Sequence, residues 1–472
     1  MNVADLKANA MVHDPFIFPR KQGDTYYIFG THMTLAASRD LRHWEQIHAE
    51  DVSPQNTLFK GLFSGPAFDY CGKFNDKYYG VWAPDVSYNP YLKKYVMYVS
   101  LTGSYVKSSI AMATADKLEG PYRYECALVS SGFSRSTEKL TNLKQVLGPR
   151  GDTGRYYKRN GNYNNFSYPN CIDPNTFFDK DGRLWMVYGS WSGGIFLLEL
   201  DKRTGKAIYP KADKQNRVDP YFGRHLLGGG HKSMEGPFII YDAVSDWYYL
   251  FVSVGWLSRE GGYQIRLFRS KNPEGPYVDG NGKTFGRVPD HGPYGVKLMG
   301  AYSFPSQITA YKSMGHNSVL AEDGRLYMVY HQRFDNGTER HEPRVHQLLR
   351  TEDGWLTAAP FATAGERVTD RFYDLKDVAG AYELVCHVPN LDSKVNRSRT
   401  VQLRPNGQLL QDGKVIGTLT LCKAAGATVR LGGVDYRGRI LEGMDDADNP
   451  VTCFTGIGGN NSLWLVRYDQ GI

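Results

Sequence analysis

Asp323-Gly-Arg-Leu-Tyr-Met-Val-Tyr330 differs from Asp181-Gly-Arg-Leu-Trp-Met-Val-Tyr188 at a single residue. In both, an Asp-Gly turn signal, where Gly tolerates positive φ, opens onto an apolar aromatic run of strand length. The same kind of run recurs at Gly23-Asp-Thr-Tyr-Tyr-Ile-Phe-Gly30, Leu92-Lys-Lys-Tyr-Val-Met-Tyr-Val99 and Ser245-Asp-Trp-Tyr-Tyr-Leu-Phe-Val252, making five copies. A further strand follows each. Ala36–Trp44, Ala111–Tyr122 and Leu267–Tyr277 are alike, with looser copies at Phe196–Arg203 and His346–Trp355. Successive copies lie about 60–90 residues apart, the signature of a repeat architecture. Five units of several strands predict an all-β chain built on a five-bladed β-propeller. A solenoid would need more uniform repeats.

Composition agrees with this. The chain has 472 residues, too many for one ordinary core. Aromatic residues make up 13% and there are 51 glycines, which excludes a coiled coil or helical bundle and favours short strands with tight turns. Tyr and Trp also offer flat faces with a polar handle, suited to sugars, but strand preference alone accounts for many of them. Net charge is a mild +7 and no long basic run is present, so nucleic acid is not an expected partner. No apolar stretch is long enough to predict a membrane-spanning helix. Cys71, Cys126, Cys171, Cys386, Cys422 and Cys453 are scattered without CxxC spacing, so they form no metal motif and most are expected to be buried thiols.

Just ahead of each apolar run lies a short motif: His13-Asp14-Pro15, Trp82-Ala83-Pro84-Asp85, Cys171-Ile172-Asp173-Pro174, Glu235-Gly236-Pro237 and Gly315-His316-Asn317. The first strand of a propeller blade lines the central channel, so equivalent positions meet at one end of it. The repeat therefore predicts that Asp14, Asp173 and Glu235 converge at one phase, with His316 and Asp85 nearby. Proline after the polar residue suits the start of a strand, where a missing N–H costs least. Three carboxylates at one mouth cannot all ionise cheaply, so one should titrate high and donate a proton. A neutral acid opposite an ionised base is what glycosidic hydrolysis needs. The plainer alternative is that each acid caps a turn or pairs with an Arg. For one Asp-Pro alone that would be the better reading, and the repetition tells against it.

Taken together, these motifs, with Asn170 ahead of Cys171 and Ser318 after Asn317, resemble those of glycoside hydrolase family 43. They most resemble its α-1,5-L-arabinanases, and the likeness covers roughly residues 10–355 in order. The resemblance implies an inverting mechanism on a five-bladed propeller. Asp14 matches the general base that activates a water, and Glu235 the general acid that protonates the leaving oxygen. Asp173 matches the third carboxylate, which orients the acid and tunes its pKa. Inversion implies about 6.5–9.5 Å between base and acid, to leave room for the water. Trp82 matches a cleft tryptophan that packs on a sugar ring, a core Trp being the alternative. Asp85, Asn170, Ile172, Ser190 and His316 are taken as substrate contacts. His316 also matches a histidine beside a channel metal ion held largely through water, most simply calcium, with sodium as the alternative. A lone His is an unusual calcium ligand and no EF-hand-like loop is present, so hydrogen bonding alone is the other reading.

The implied function is endo-acting hydrolysis of the α-1,5-L-arabinan backbone, with arabino-oligosaccharides as further ligands. The alternatives are an exo-acting α-L-arabinofuranosidase or β-xylosidase and a non-catalytic sugar-binding propeller. A polymeric substrate implies a secreted, periplasmic or cell-surface enzyme, expected as a monomer. The opening MNVADLKANAMVHDPFIF shows no basic segment followed by an apolar one, so a signal peptide is not seen in this sequence.

Cys171 stands where a small Ala is common in the family. Residues 130–168 form a long polar segment rich in Asn, Gly and Tyr, expected to border the cleft, with simple insertion as an equal alternative. Ser190 and Trp191 follow a blade strand and are candidates for substrate contact. The repeat ends near Trp355, and residues 360–372 read as a linker. Beyond Gly380, alternation at Arg399–Gly407, Thr418–Leu421, Thr428–Leu431 and Leu463–Val466 predicts a small β-barrel or sandwich. The expected domains are a catalytic propeller over residues 1–360 and an accessory β-domain over 370–472, acting as a stabilising lid or a sugar-binding module.

Overall fold

The computed structural model describes residues 1–285, 294–368 and 372–469, apart from 51, 60 and 64. Within them, five antiparallel sheets follow one another along the chain, each starting at its channel-side strand. Blade 1 spans residues 16–48, blade 2 80–131, blade 3 175–227, blade 4 234–299 and blade 5 311–358. The repeated aromatic runs form the second strand of each blade: Tyr26–Gly30, Lys94–Thr102, Leu184–Tyr188, Trp247–Val254 and Arg325–Phe334. A second strand is covered on both faces by neighbouring blades, so its apolar residues run continuously instead of alternating. Leu184–Tyr188 is buried at every position.

Each blade is one contiguous segment of chain, so the ring closes by packing and side-chain bonds. Ala8, Val12, Ile17 and Ile28 pack against Leu320, Val329 and Val345 of blade 5. Fully burying an aliphatic side chain contributes about 1.5–3 kcal/mol, so a seam of this size can replace a shared strand. Ser318 Oγ accepts the Ile17 N–H at 2.9 Å and donates to the Pro15 carbonyl at 2.7 Å. The Ala8 N–H donates to Glu342 at 2.9 Å.

The C-terminal part is a closed antiparallel barrel rather than a sandwich. Eight strands run in sequence from Gly380–His387 to Asn461–Tyr468, and these two pair to close it. Leu384, Leu403, Leu409, Val429, Phe454 and Leu465 are among the residues of its own core. Val385, Cys453, Trp464 and Val466 join the propeller core instead. Trp464 Nε1 donates to the Ala358 carbonyl at 2.8 Å, and Asn396–Arg397 adds a parallel pair to Tyr302–Ser303. The connection after the first barrel strand leans on blade 4, where Gln264 Nε2 donates to the Asn390 carbonyl at 2.6 Å. Of the expected linker, residues 369–371 lie outside the described residues, as do 470–472 of the expected second domain.

The 130–168 segment packs its aromatic residues onto the propeller core. Tyr156, Tyr157 and Tyr163 are buried edge-on against Phe133, and Tyr168 lies on Phe222. The Phe166 and Tyr168 carbonyls accept the Gly230 and Gly193 N–H groups, which ties the segment to the loops beside Trp191. All six cysteines are free thiols, with Cys71, Cys171 and Cys453 buried and the other three half-buried.

Candidate active site

The inner segment of every blade carries a left-handed residue at its motif: Asp14 (φ 53°), Ala83 (43°), Asp173 (59°), Gly236 (55°) and His316 (50°). In blades 2, 4 and 5 it falls inside an irregularity of the strand register, the mark of a β-bulge. Asp and His tolerate this conformation better than most residues. A repeated device holds the five in place. One or two residues past each apolar run stands a polar residue: Thr31, Ser100, Ser190, Ser253 and His331. Four of these accept the N–H of the left-handed residue in the next blade. Ala83 donates to Thr31 Oγ1 at 2.9 Å, Asp173 to Ser100 Oγ at 2.9 Å, His316 to Ser253 Oγ at 2.6 Å and Asp14 to His331 Nδ1 at 3.2 Å. Ser190 instead donates to Glu235 Oε2 at 3.3 Å, and the Gly236 N–H goes to Asp173 Oδ2 at 3.1 Å.

The expectation of one common phase for the three acids is therefore corrected. Glu235 precedes the left-handed residue of its blade, as Trp82 precedes Ala83 and Ile172 precedes Asp173. The reason is steric. A Cβ on Gly236 would lie 3.0 Å from Cγ of His316 at a left-handed φ of 55°, so a side chain there would crowd the imidazole and glycine is favoured. The acid comes from the residue before.

Asp14 is a buried carboxylate among imidazoles. Its Oδ1 meets His13 Nδ1 at 2.8 Å and His316 Nδ1 at 3.0 Å, and its Oδ2 accepts Thr31 Oγ1 at 2.5 Å. Burial alone would raise its pKa, but His13 and His316 override that and hold it well below the ordinary carboxylate range. His316 shifts the opposite way. Burial disfavours its charge, yet Asp14, Asp173 and Glu235 together raise its pKa to about 9.

Glu235 sits among neutral donors. Tyr263 OH donates to Oε1 at 2.8 Å and Trp191 Nε1 to Oε2 at 2.9 Å. Burial raises its pKa above the ordinary value, and Tyr263, His316 and Trp191 only partly offset this. Asp173 is raised as well, chiefly by burial, against the pull of His316 and with Glu235 and Asp14 adding to it. Glu235 and Asp173 titrate as a pair. The channel mouth thus holds one carboxylate pulled well below the ordinary range and two pushed above it.

Other expected contacts are placed differently. Trp82 is half-buried, packs on Phe74 at 5.0 Å between ring centres, and lines a cleft of about 840 Å³ with Asp14, His32, Tyr78 and Leu257. Asp85 is wholly buried, and its carboxylate accepts Thr176 N–H, Thr176 Oγ1 and Asn175 Nδ2 at 2.7, 2.8 and 3.1 Å. It joins blade 2 to blade 3 and is not a substrate contact. Burial raises its pKa to about 7. Asn170 is also buried and donates to the Tyr105 carbonyl at 2.8 Å, so it fixes a loop rather than meeting a sugar. Ile172 is buried but shares the phase of Trp82 and Glu235. Ser190 and Trp191 serve the acid directly. The sequence motifs do not single out Thr31, Ser100, Ser253, His331 or Tyr263. The first four were legible one residue past each apolar run, whereas Tyr263 had no sequence signal.

His13, Asp14 and His331 present ligand atoms within 4.8 Å of one another. Two imidazoles and a carboxylate suit a transition metal rather than calcium. The His13 and His331 Nδ1 atoms are already engaged with Asp14, so calcium does not fit there.

Residues 8–139 and 134–356 match the model for glycosyl hydrolases family 43, and residues 360–465 match its C-terminal lipocalin-like domain. The chain belongs to glycosyl hydrolase family 43. It is a glycosidase by that membership. It is 36% identical over 449 residues to an extracellular endo-α-(1→5)-L-arabinanase of Bacillus subtilis, covering 92% of this chain and 87% of that protein. It is 36% identical over 488 residues to an extracellular endo-α-(1→5)-L-arabinanase of Thermotoga petrophila, covering 98% and 94%. A solved endo-1,5-α-L-arabinanase structure from Thermotoga petrophila superposes with a TM-score of 0.83 at 33% identity, covering 97% of this chain and 98% of that one. The likeness runs through both domains.

Proposed function

We propose that this family 43 enzyme cleaves α-1,5-L-arabinofuranosyl bonds within arabinan, with inversion of configuration. The observation that carries the reading is the split between the two kinds of buried carboxylate. Burial would raise Asp14, but His13 and His316 pull its pKa well below the ordinary range, whereas burial pushes Glu235, among Tyr263, Trp191 and Ser190, above it. Asp14 takes a proton from a water that attacks the anomeric carbon. Glu235 gives its proton to the leaving oxygen as the glycosidic bond breaks. Asp173 titrates together with Glu235 and fixes the blade 4 backbone through the Gly236 N–H. Trp82 offers its face to a sugar ring beside the base.

Endo action is supported by relatives that match both domains and by the open cleft along Trp82 and Tyr78. A time course on linear debranched arabinan, run beside xylan, tests it. Arabino-oligosaccharides should appear first. Arabinose alone from the earliest samples would overturn endo action, and preference for xylan would overturn the substrate. The relatives are named extracellular, which supports action outside the cell.

A hydrated calcium beside His316 is part of the same proposal, with sodium as the alternative occupant. The fit rests on two groups. His316 Nδ1 is committed to Asp14, leaving Nε2, and the adjacent Asn317 has a buried Oδ1 with no partner among the described residues. A bound cation would supply positive charge beside the three carboxylates. The same carboxylates that hold a proton on His316 would hold that cation in its place.

A further inference from the structure

The blade-to-blade ring uses hydroxyls at Thr31, Ser100, Ser190 and Ser253 but an imidazole at His331. A hydroxyl suffices to cap a left-handed N–H, so the ring calls for another explanation. His331 is fully buried, and its Nε2 has no partner among the described residues. One face stacks on His13 at 3.9 Å between centres and 29° between planes. Tyr263 lies stacked against the same ring at 5.9 Å and 27°. His13 is the group that meets Asp14 Oδ1, and Tyr263 is the group that donates to Glu235 Oε1. The Tyr263 ring also fills the place where Gly315 would carry a side chain, which fixes its position against the His316 bulge. His331 therefore touches the base three ways: through the Asp14 N–H, through His13 and through its own Nδ1, 3.8 Å from Asp14 Oδ1. Through Tyr263 it reaches the acid.

We propose that His331 is a positioning residue, whose ring, stacked with His13 and Tyr263, fixes the general base and the general acid relative to one another. The inference rests on the catalytic roles proposed above for Asp14 and Glu235. Inversion requires both carboxyls to address one anomeric carbon from opposite sides. A misplacement of about 1 Å in such a geometry costs on the order of a hundredfold in rate.

The test is His331→Asn in the full chain. The amide oxygen can take the place of Nδ1 and still accept the Asp14 N–H, while the ring is lost. If the stack positions the carboxyls, kcat on linear arabinan falls about ten- to a hundredfold while KM stays within about twofold. The deficit persists on an aryl arabino-oligosaccharide whose leaving group needs no proton, because the base is displaced too. Tyr263→Phe keeps every ring but removes the donor to Glu235. Its kcat should fall on arabinan and largely recover on the aryl substrate. A His331→Asn enzyme with a lowered melting temperature and unchanged kcat would overturn the proposal, leaving His331 a backbone cap. If that variant does not fold, His331→Gln, whose amide oxygen can accept the same N–H without a ring, decides, and an unchanged kcat there overturns it. Glu235→Gln is the control for the underlying reading. If Glu235→Gln is inactive and the two variants are normal, only this inference fails. If Glu235→Gln is active, the catalytic assignment fails.

Discussion

Asp14 and Glu235 are both buried at the same channel mouth, yet their surroundings differ in kind. Asp14 touches two imidazoles, His13 and His316, and sits on the left-handed residue of its blade. Glu235 touches a phenol, an indole and a hydroxyl, with no cation among its hydrogen-bond partners, and sits one residue ahead of the bulge. Burial pushes both carboxyls toward the neutral form. The adjacent imidazoles reverse that push for Asp14, and neutral donors do not for Glu235. Asp85 serves as a third point. It is buried against amide and hydroxyl donors without a cation, and its pKa rises to about 7. The contact with charge, rather than depth, separates base from acid.

The largest expected effect comes from erasing either side. Asp14→Asn and Glu235→Gln should each lower kcat on arabinan by about a thousandfold, within the usual range for acid–base groups. An activated aryl leaving group should rescue Glu235→Gln and not Asp14→Asn. Rescue of both, or of neither, would break the assignment of roles.

Asp173→Asn should cost less, about ten- to a hundredfold in kcat. The pH profile is the sharper readout. In the wild type, activity falls as pH rises through the raised pKa of Glu235, when the acid loses its proton. Removing the neighbouring charge makes that proton easier to lose, so the alkaline limb should move to lower pH. A limb that stays put or moves up would show that Asp173 does not tune the acid.

Complete chelation should lower activity, and calcium should restore it, if a hydrated ion lies beside His316. Unchanged activity after verified metal removal would defeat the metal proposal while leaving the carboxylates in place.

The smallest effect concerns Asp85. Its folded pKa of about 7 lies above the unfolded value of about 3.9. The fold thus favours its neutral form, and this contribution is full below about pH 4 and is lost as pH rises through 7. Melting temperatures of Asp85→Asn and wild type, compared from pH 4 to 7, should shift in favour of the variant as pH rises. A constant difference would show that Asp85 does not titrate in that window.

Much of this was legible in the sequence, because a propeller writes its repeat in local aromatic runs. Tyr26–Gly30 and Arg325–Phe334 were readable as blade strands without knowing their neighbours. What escaped depends on contacts between blades. Glu235 leaves the common phase where Gly236 meets His316 of the next blade. Asp85 looked like a cleft acid until Thr176 and Asn175 claimed its oxygens. Tyr263 sits one residue before the third strand of blade 4, where no motif marks it, and only packing against Gly315 and His331 brings it to Glu235. The barrel's choice over a sandwich likewise lies in the pairing of Gly380–His387 with Asn461–Tyr468, at opposite ends of that domain.

The division of labour between Asp14 and Glu235 is tested most directly by the stereochemistry of the first turnover. Proton NMR of linear arabinan, started with enzyme and read before mutarotation, reports the anomer released. The β-anomer from the α-linked substrate is the predicted result. Release of the α-anomer would mean a covalent intermediate, and Asp14 could then not be the base that activates water.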